Sequence, residues 1–160
     1  MKFLISNKKL EDKFNLIYRL DEHSFDIHPQ QERGYSSLQI NDLLIEINEA
    51  GHLLYPWGLC GLHYAEEIDI APSNYKKNTI TVDTEGFIPG ISTLVNPEER
   101  WPTYINKSLQ WICLGNPFLQ KVKYTEFAPN CVLGLYNDEL QSIWLNPLMG
   151  SQNSLDKSDC

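Results

Sequence analysis

Cys60 and His63 are separated by two residues, in a glycine-flanked tract that runs on to Glu66, Glu67 and Asp69. Those residue types allow three kinds of chemistry. A thiol beside an imidazole is a nucleophile with its base, provided the imidazole reaches the sulfur and a third group orients it. Glu66 or Asp69 could be that third group. A Cys-x-x-His pair is also half of a zinc site, but a structural zinc takes four ligands, usually from two such pairs. His52 is the only nearby histidine, His23 and His28 are distant, and no second pair exists, so no metal is expected. Neighbouring carboxylates exchange protons when burial or mutual repulsion shifts a pKa, whereas adjacent acids on a loop are more often solvated. The calcium-loop pattern, HExxH, GxSxG, GxGxxG and a phosphate loop are all absent. No cofactor is expected.

The electrostatic setting works against a thiolate at Cys60. From Gly34 to Tyr75 there is no lysine or arginine but six carboxylates, Asp42, Glu46, Glu49, Glu66, Glu67 and Asp69. Negative neighbours raise a thiol pKa. A one-signed field is better suited to steering a cationic partner. The stretch is no polar tail, because it also holds Ile45, Ile47, Leu53, Leu54, Tyr55 and Trp57. The net charge of −8 argues against phosphate-backbone binding, which needs clustered Lys and Arg. It also serves solubility alone. Trp57 and Trp101 adjoin turns and prolines and are expected to be exposed anchors inside an acidic rim. Trp111 and Trp144 fall in apolar strand patterns and are expected in the core, as are Cys113 and Cys131.

These residues need a scaffold. A chain of 160 residues with 42% hydrophobic content supports one domain with a real core. That domain is expected over residues 1–149, with 150–160 as a disordered, dispensable tail that ends in an exposed Cys160. Strands are expected over 42–48 and 52–57, joined by a tight turn at Gly51. Pro56 should place the second of these at a sheet edge or at its own end. Further strands are expected over 79–84, 109–114, 121–127, 131–136 and 140–145, with a hairpin turn at Asn137, Asp138 and Glu139. A short helix or turn after Asn7, carrying Leu10, Phe14 and Ile17, should run into a strand over 16–20, and 21–34 reads as a loop. Helical turns are expected near Tyr64 to Glu67 and after Asn96, where Pro97 and two acids make a good start that Pro102 must stop. The sum is an α+β, mainly β fold: an antiparallel sheet of about six or seven short strands with one to three short helices. Residues 57–61 (WGLCG) echo 111–115 (WICLG), but the flanks differ and five residues are weak evidence of duplication.

The size, the acidity and the tract 58–75 (GLCGLHYAEEIDIAPSNY) together resemble bacterial immunity proteins, the antidotes of contact-dependent and other polymorphic toxin systems. The resemblance is at the level of the class, and no site residue is carried over from it. It implies a cognate toxin domain, often a basic nuclease, neutralised by tight binding without catalysis. Asp42, Glu46, Glu49, Glu66, Glu67 and Asp69, with Trp57 and Trp101, are the expected partner-binding residues. The alternative is a small enzyme or ligand-binding protein using Cys60, His63 and the nearby acids. A mimic of nucleic acid ranks lower, since the charge is patchy along the chain. Four cysteines without a CxxC pair, an N-terminal apolar run far too short for a signal peptide and no segment of ~20 apolar residues point to reduced thiols in a cytoplasm.

Overall fold

The computed structural model describes residues 1–8 and 13–150, and over them the chain forms sixteen strands and no helix. In chain order these are β1 (Phe3–Ile5), β2 (Asn15–Arg19), β3 (Ser24–His28), β4 (Ser36–Ile40), β5 (Leu43–Ile47), β6 (Leu53–Leu59), β7 (Glu66–Glu67), β8 (Lys76–Lys77), β9 (Ile80–Val82), β10 (Ser92–Leu94), β11 (Thr103–Asn106), β12 (Trp111–Gly115), β13 (Lys123–Ala128), β14 (Cys131–Tyr136), β15 (Glu139–Leu145) and β16 (Leu148–Gly150). Two seven-stranded sheets, ordered β10-β4-β5-β6-β3-β2-β16 and β7-β11-β12-β15-β14-β13-β8, are joined by the ribbon β1-β9. No helix among the described residues is long and apolar enough to cross a membrane.

The expected α+β fold is therefore corrected: the described chain is all-β, with sheets of mixed strand direction. Each helical expectation fails for a local reason. Of the segment after Asn7, Leu10 lies outside the described residues, and Ile17 belongs to β2, where Leu16 and Tyr18 alternate into the core. At Tyr64 the chain makes one turn before β7. After Asn96 the prolines leave too few residues for a helix, and Asn41 holds Trp101 extended by bonding both its N–H and its C=O at 2.9 Å. The expected loop 21–34 contains β3, whose Phe25 and Ile27 face the core between polar neighbours. Gly150 closes β16; the rest of the expected tail, with Cys160, lies outside the described residues.

Period-two alternation builds the core between the sheets. Leu16, Tyr18, Phe25, Ile27, Leu38, Leu43, Ile45 and Ile47 from the first sheet share one apolar cluster with Ile112, Leu114, Leu133, Ile143 and Leu145 from the second. Cys131 lies in that cluster and Cys113 in a second one. Gly51 takes φ 86 in the β5–β6 turn, as its position requires. Pro56 is an informative exception. It stands in β6 opposite Ile45, in the middle of its sheet. A proline can take only a non-hydrogen-bonded position there, with its missing N–H turned away from β5. On that side β6 pairs with β3 only from Gly58 onward.

The two sheets repeat one arrangement. Written from the opposite edge, the first runs β16-β2-β3-β6-β5-β4-β10, the same pattern as the second: a hairpin, then a three-stranded meander whose last strand returns beside the hairpin. Both carry a bulge between the meander's last two strands, after Glu46 in one and after Gly134 in the other. By this register the pair Leu44–Trp57 matches Val132–Trp144, and Glu46–Tyr55 matches Gly134–Ser142. The WGLCG and WICLG echo is not the trace of this repeat, since its two copies sit on the non-equivalent strands β6 and β12.

Every edge of the two large sheets is a parallel strand of two or three residues, too short to template another chain. In the second sheet both edge strands belong to one segment. Residues 68–75 leave β7 on one edge, cross the outer face and reach β8 on the other. Six inter-strand steps put these edges about 29 Å apart, and the chain from Glu67 to Lys76 reaches at most about 32 Å, so this strap is close to fully extended. Under it Ile68, Ile70 and Ala71 pack on a second core of Trp111, Cys113, Val132 and Trp144. Asn106 Nδ2 donates to Ile70 O at 3.0 Å, and Tyr75 meets Trp111 edge-on. Trp144→Ala should therefore cost about 3–5 kcal/mol of unfolding free energy. Tyr136→Ala, on the exposed end of β14, should cost less than about 1 kcal/mol. Denaturant titration compares them; similar small losses would mean that the strap does not seal the face.

Candidate functional site

One end of the first sheet gathers the β2–β3 turn, the β4–β5 turn and the end of β6. Two backbone bonds pin the chain there: Cys60 N–H donates to His23 O at 2.8 Å, and the Tyr18 hydroxyl donates to Cys60 O at 2.7 Å. Ala65 N–H then closes a turn on Leu62 O at 3.2 Å. The His23 and His63 rings lie 4.9 Å apart, so the β2–β3 turn and this loop brace each other. The braced turn holds Tyr64 out at 98% exposure. Leu20 and Leu59 are exposed on the same end, with the acids Asp21 and Glu22 on the β2–β3 turn.

The thiol is not poised for chemistry. Cys60 is 7% exposed, and burial pushes its pKa up to about 12, with Arg100 opposing the rise and Asp42 adding to it. His63 is exposed, and the ring contact it makes is with His23. Burial likewise raises the thiol pKa of Cys113 and Cys131. Among the described residues no three His, Cys, Asp or Glu side chains come together to hold a metal ion.

The acidic stretch does not fold into one patch. Asp42 sits at the end just described, close enough to act on Cys60, but Arg100 pairs with it at 2.9 Å. Glu66 and Glu67 form β7 on the edge of the second sheet, and Lys107 pairs with Glu67 at 2.6 Å. Asp69 is exposed on the strap. Glu49 lies in the β5–β6 turn, at the far end of β5 from Asp42, about 24 Å away along the strand. Glu46 is buried on the outer face of the first sheet, where its Oε1 accepts from Trp57 Nε1 at 3.0 Å. Trp57 and Trp101 are half-buried rather than exposed. The fold thus places Asp42 beside Cys60 and Glu66 just after Tyr64, and adds Asp21 and Glu22 on the same end, which a near-neutral N-terminal segment hides. Tyr64 could have been found only as an aromatic flanked by histidine and acids in a turn.

Compared with protein-family models and with curated proteins, the chain matches none of them.

The buried thiols have measurable consequences. In a Cys160→Ser background, Cys60, Cys113 and Cys131 should react with an alkylating reagent at pH 8 only after unfolding; rapid native labelling of Cys60 would contradict its burial. In the unfolded chain Cys60 ionises near its ordinary 9.0, whereas the folded chain keeps the proton to about 12. Its contribution is therefore full below pH 9 and falls as pH rises, by about 1.4 kcal/mol at pH 10. Cys60→Ala should remove that part of the alkaline decline in stability measured by denaturant titration.

Proposed function

We propose that this chain is a binding protein, without catalysis of its own, that neutralises a cognate toxin domain in the cytoplasm. The docking surface is the end of the first sheet around Tyr64. The observation that carries the reading is Tyr64 itself, at 98% exposure on a turn whose backbone is fixed on both sides. An aromatic side chain held rigidly in water loses little conformational freedom on docking, and tyrosine is enriched among the residues that dominate binding energy. Asp21, Glu22 and Glu66, exposed on this end, favour a basic partner, and such charge raises association rate and partner selectivity more than affinity. A nuclease domain carries cations for its substrate, and those cations fit this rim. The thiol alternative at Cys60 and His63 finds no support in a buried, protonated sulfur.

The test is capture of the partner from the native cell, followed by rescue. A captured protein should arrest growth when expressed alone and be silenced by co-expression of this chain. Tyr64→Ala should weaken the complex by about 2 kcal/mol, or thirtyfold. Asp21→Lys with Glu66→Lys should slow association about tenfold at low salt and flatten its salt dependence. Unchanged binding by Tyr64→Ala would remove this surface as the interface. A partner whose activity is harmless, or is not silenced, would remove the toxin reading.

A further inference from the structure

The first sheet is open where its counterpart is closed. In the second sheet β12 and β15 stay paired from Ile112–Leu145 through Cys113–Trp144 to Gly115–Ser142. In the first, the equivalent strands β3 and β6 pair only at Ser24–Leu59 and Phe25–Gly58, and part where Asp26 would meet Trp57. The opening is built rather than frayed. Asp26 Oδ1 accepts the Ile27 N–H at 2.8 Å, Gln30 Nε2 donates to Ile27 O at 3.0 Å, and on β6 Pro56 has no N–H to leave unmet. The parted strands enclose a cleft of about 230 Å³ lined by Asp26, Gln30, Arg33, Glu46, Tyr55 and Trp57, with Ile27 and Gln31.

Its hydrogen-bonding capacity is one-sided. Inside the rim, where Arg33 stands, the side-chain donors are committed: Trp57 Nε1 to Glu46 Oε1 at 3.0 Å, the Tyr55 hydroxyl to Glu32 O at 3.0 Å, Gln30 Nε2 to Ile27 O and Asp26 Oδ1, and Gln31 Nε2 to Lys13 O and Pro29 O. Arg19 is committed to Asp26 at 3.2 Å. What remains is an acceptor. Glu46 is only 6% exposed, and its Oε2 takes no hydrogen bond or ion pair among the described residues. A side chain at Gly34 would stand 2.9 Å from that oxygen and 2.5 Å from Ile47 O, so glycine keeps the space beside it clear. The equivalent position in the second sheet is Gly134, where Ser142 Oγ fills the space and the strap covers Trp144. No fully buried side-chain oxygen among the described residues lacks a partner, so Glu46 Oε2 is the part of this otherwise buried carboxylate that stays open to an incoming donor. Burial, and then Glu46, raise the pKa of the Tyr55 hydroxyl while Arg33 lowers it, so these groups share one field.

We infer that this cleft is a binding site for a guanidinium or ammonium group, whose N–H donors meet Glu46 Oε2 and whose charge lies against the Trp57 and Tyr55 rings. Arg33, exposed at the rim, is the internal cation that a ligand must overcome. The group arrives either on a free small molecule or as an Arg or Lys side chain of a bound protein, and the site does not depend on the toxin reading.

The indole N–H resonance of Trp57, assigned with Trp57→Phe, reports on the cleft directly. Titration with methylguanidinium at constant ionic strength should shift it saturably, while sodium chloride should not. Glu46→Gln keeps an oxygen for the indole and should weaken binding at least about tenfold. Arg33→Ala should tighten it severalfold, an effect that a merely structural role for Glu46 would not give. The peptide Gly-Gly-Arg-Gly-Gly separates the sources: saturation as tight as methylguanidinium identifies a protein side chain, and exclusion of the peptide identifies a small molecule. Absence of a saturable shift, or equal binding by Glu46→Gln, overturns the inference. If Glu46→Gln does not fold, Arg33→Ala decides, with unchanged affinity overturning it.

Discussion

Face-to-face burial of two seven-stranded sheets is the interaction on which the rest of this molecule depends. With no helix among the described residues to cover a face or an edge, every other apolar surface must be closed by the chain itself. The second sheet closes its outer face with residues 68–75, which is why Trp144 is fully buried and Trp111 nearly so on a face that would otherwise be open. The edges are closed by parallel strands so short that they carry no pattern of their own. The surfaces proposed for binding lie where this closure stops, at the braced turn around Tyr64 and in the gap between β3 and β6.

A shared topology also accommodates two different outer faces. At Gly134 the second sheet places a residue without a side chain beside Ser142, and the strap then lies flat over Trp144. At the matching position the first sheet places Glu46, and a carboxylate there is compatible with an open face, not with an apolar strap. Trp57 keeps the indole of its counterpart but gives its N–H to Glu46, whereas Trp144 gives its own to Ser142 Oγ.

The parts legible in the sequence were those with strong local alternation. The hairpin through β5 and β6, the strands β14 and β15, and the burial of Cys113, Cys131, Trp111 and Trp144 all follow from spacing. The α+β expectation erred because proline and acid signals after Asn96 mimic a helix start, while the competing bonds from Asn41 come from sixty residues away. β3 was hidden by its polar outer positions, Asp26 and His28, which are polar because that face is partly wet. Edge strands of two or three residues exist only through long-range pairing and leave no local trace. The acidic stretch was legible as composition and misleading as geometry, since Arg100 and Lys107 neutralise Asp42 and Glu67 from outside it.

The strap also sets an order of events. Residues 66–77 precede in the chain all five inner strands of the sheet they clasp, β11 to β15. A ribosome therefore releases Ile68, Ile70 and Tyr75 before there is anything for them to cover. Their docking awaits residues out to Leu145, and both rims of that sheet stay unguarded until then. Contacts of such long sequence separation are slow to form and leave strand edges exposed meanwhile. Glu66, Glu67 and Asp69 give this waiting apolar ribbon a uniform negative charge, and charged side chains oppose the pairing of an open edge with another chain.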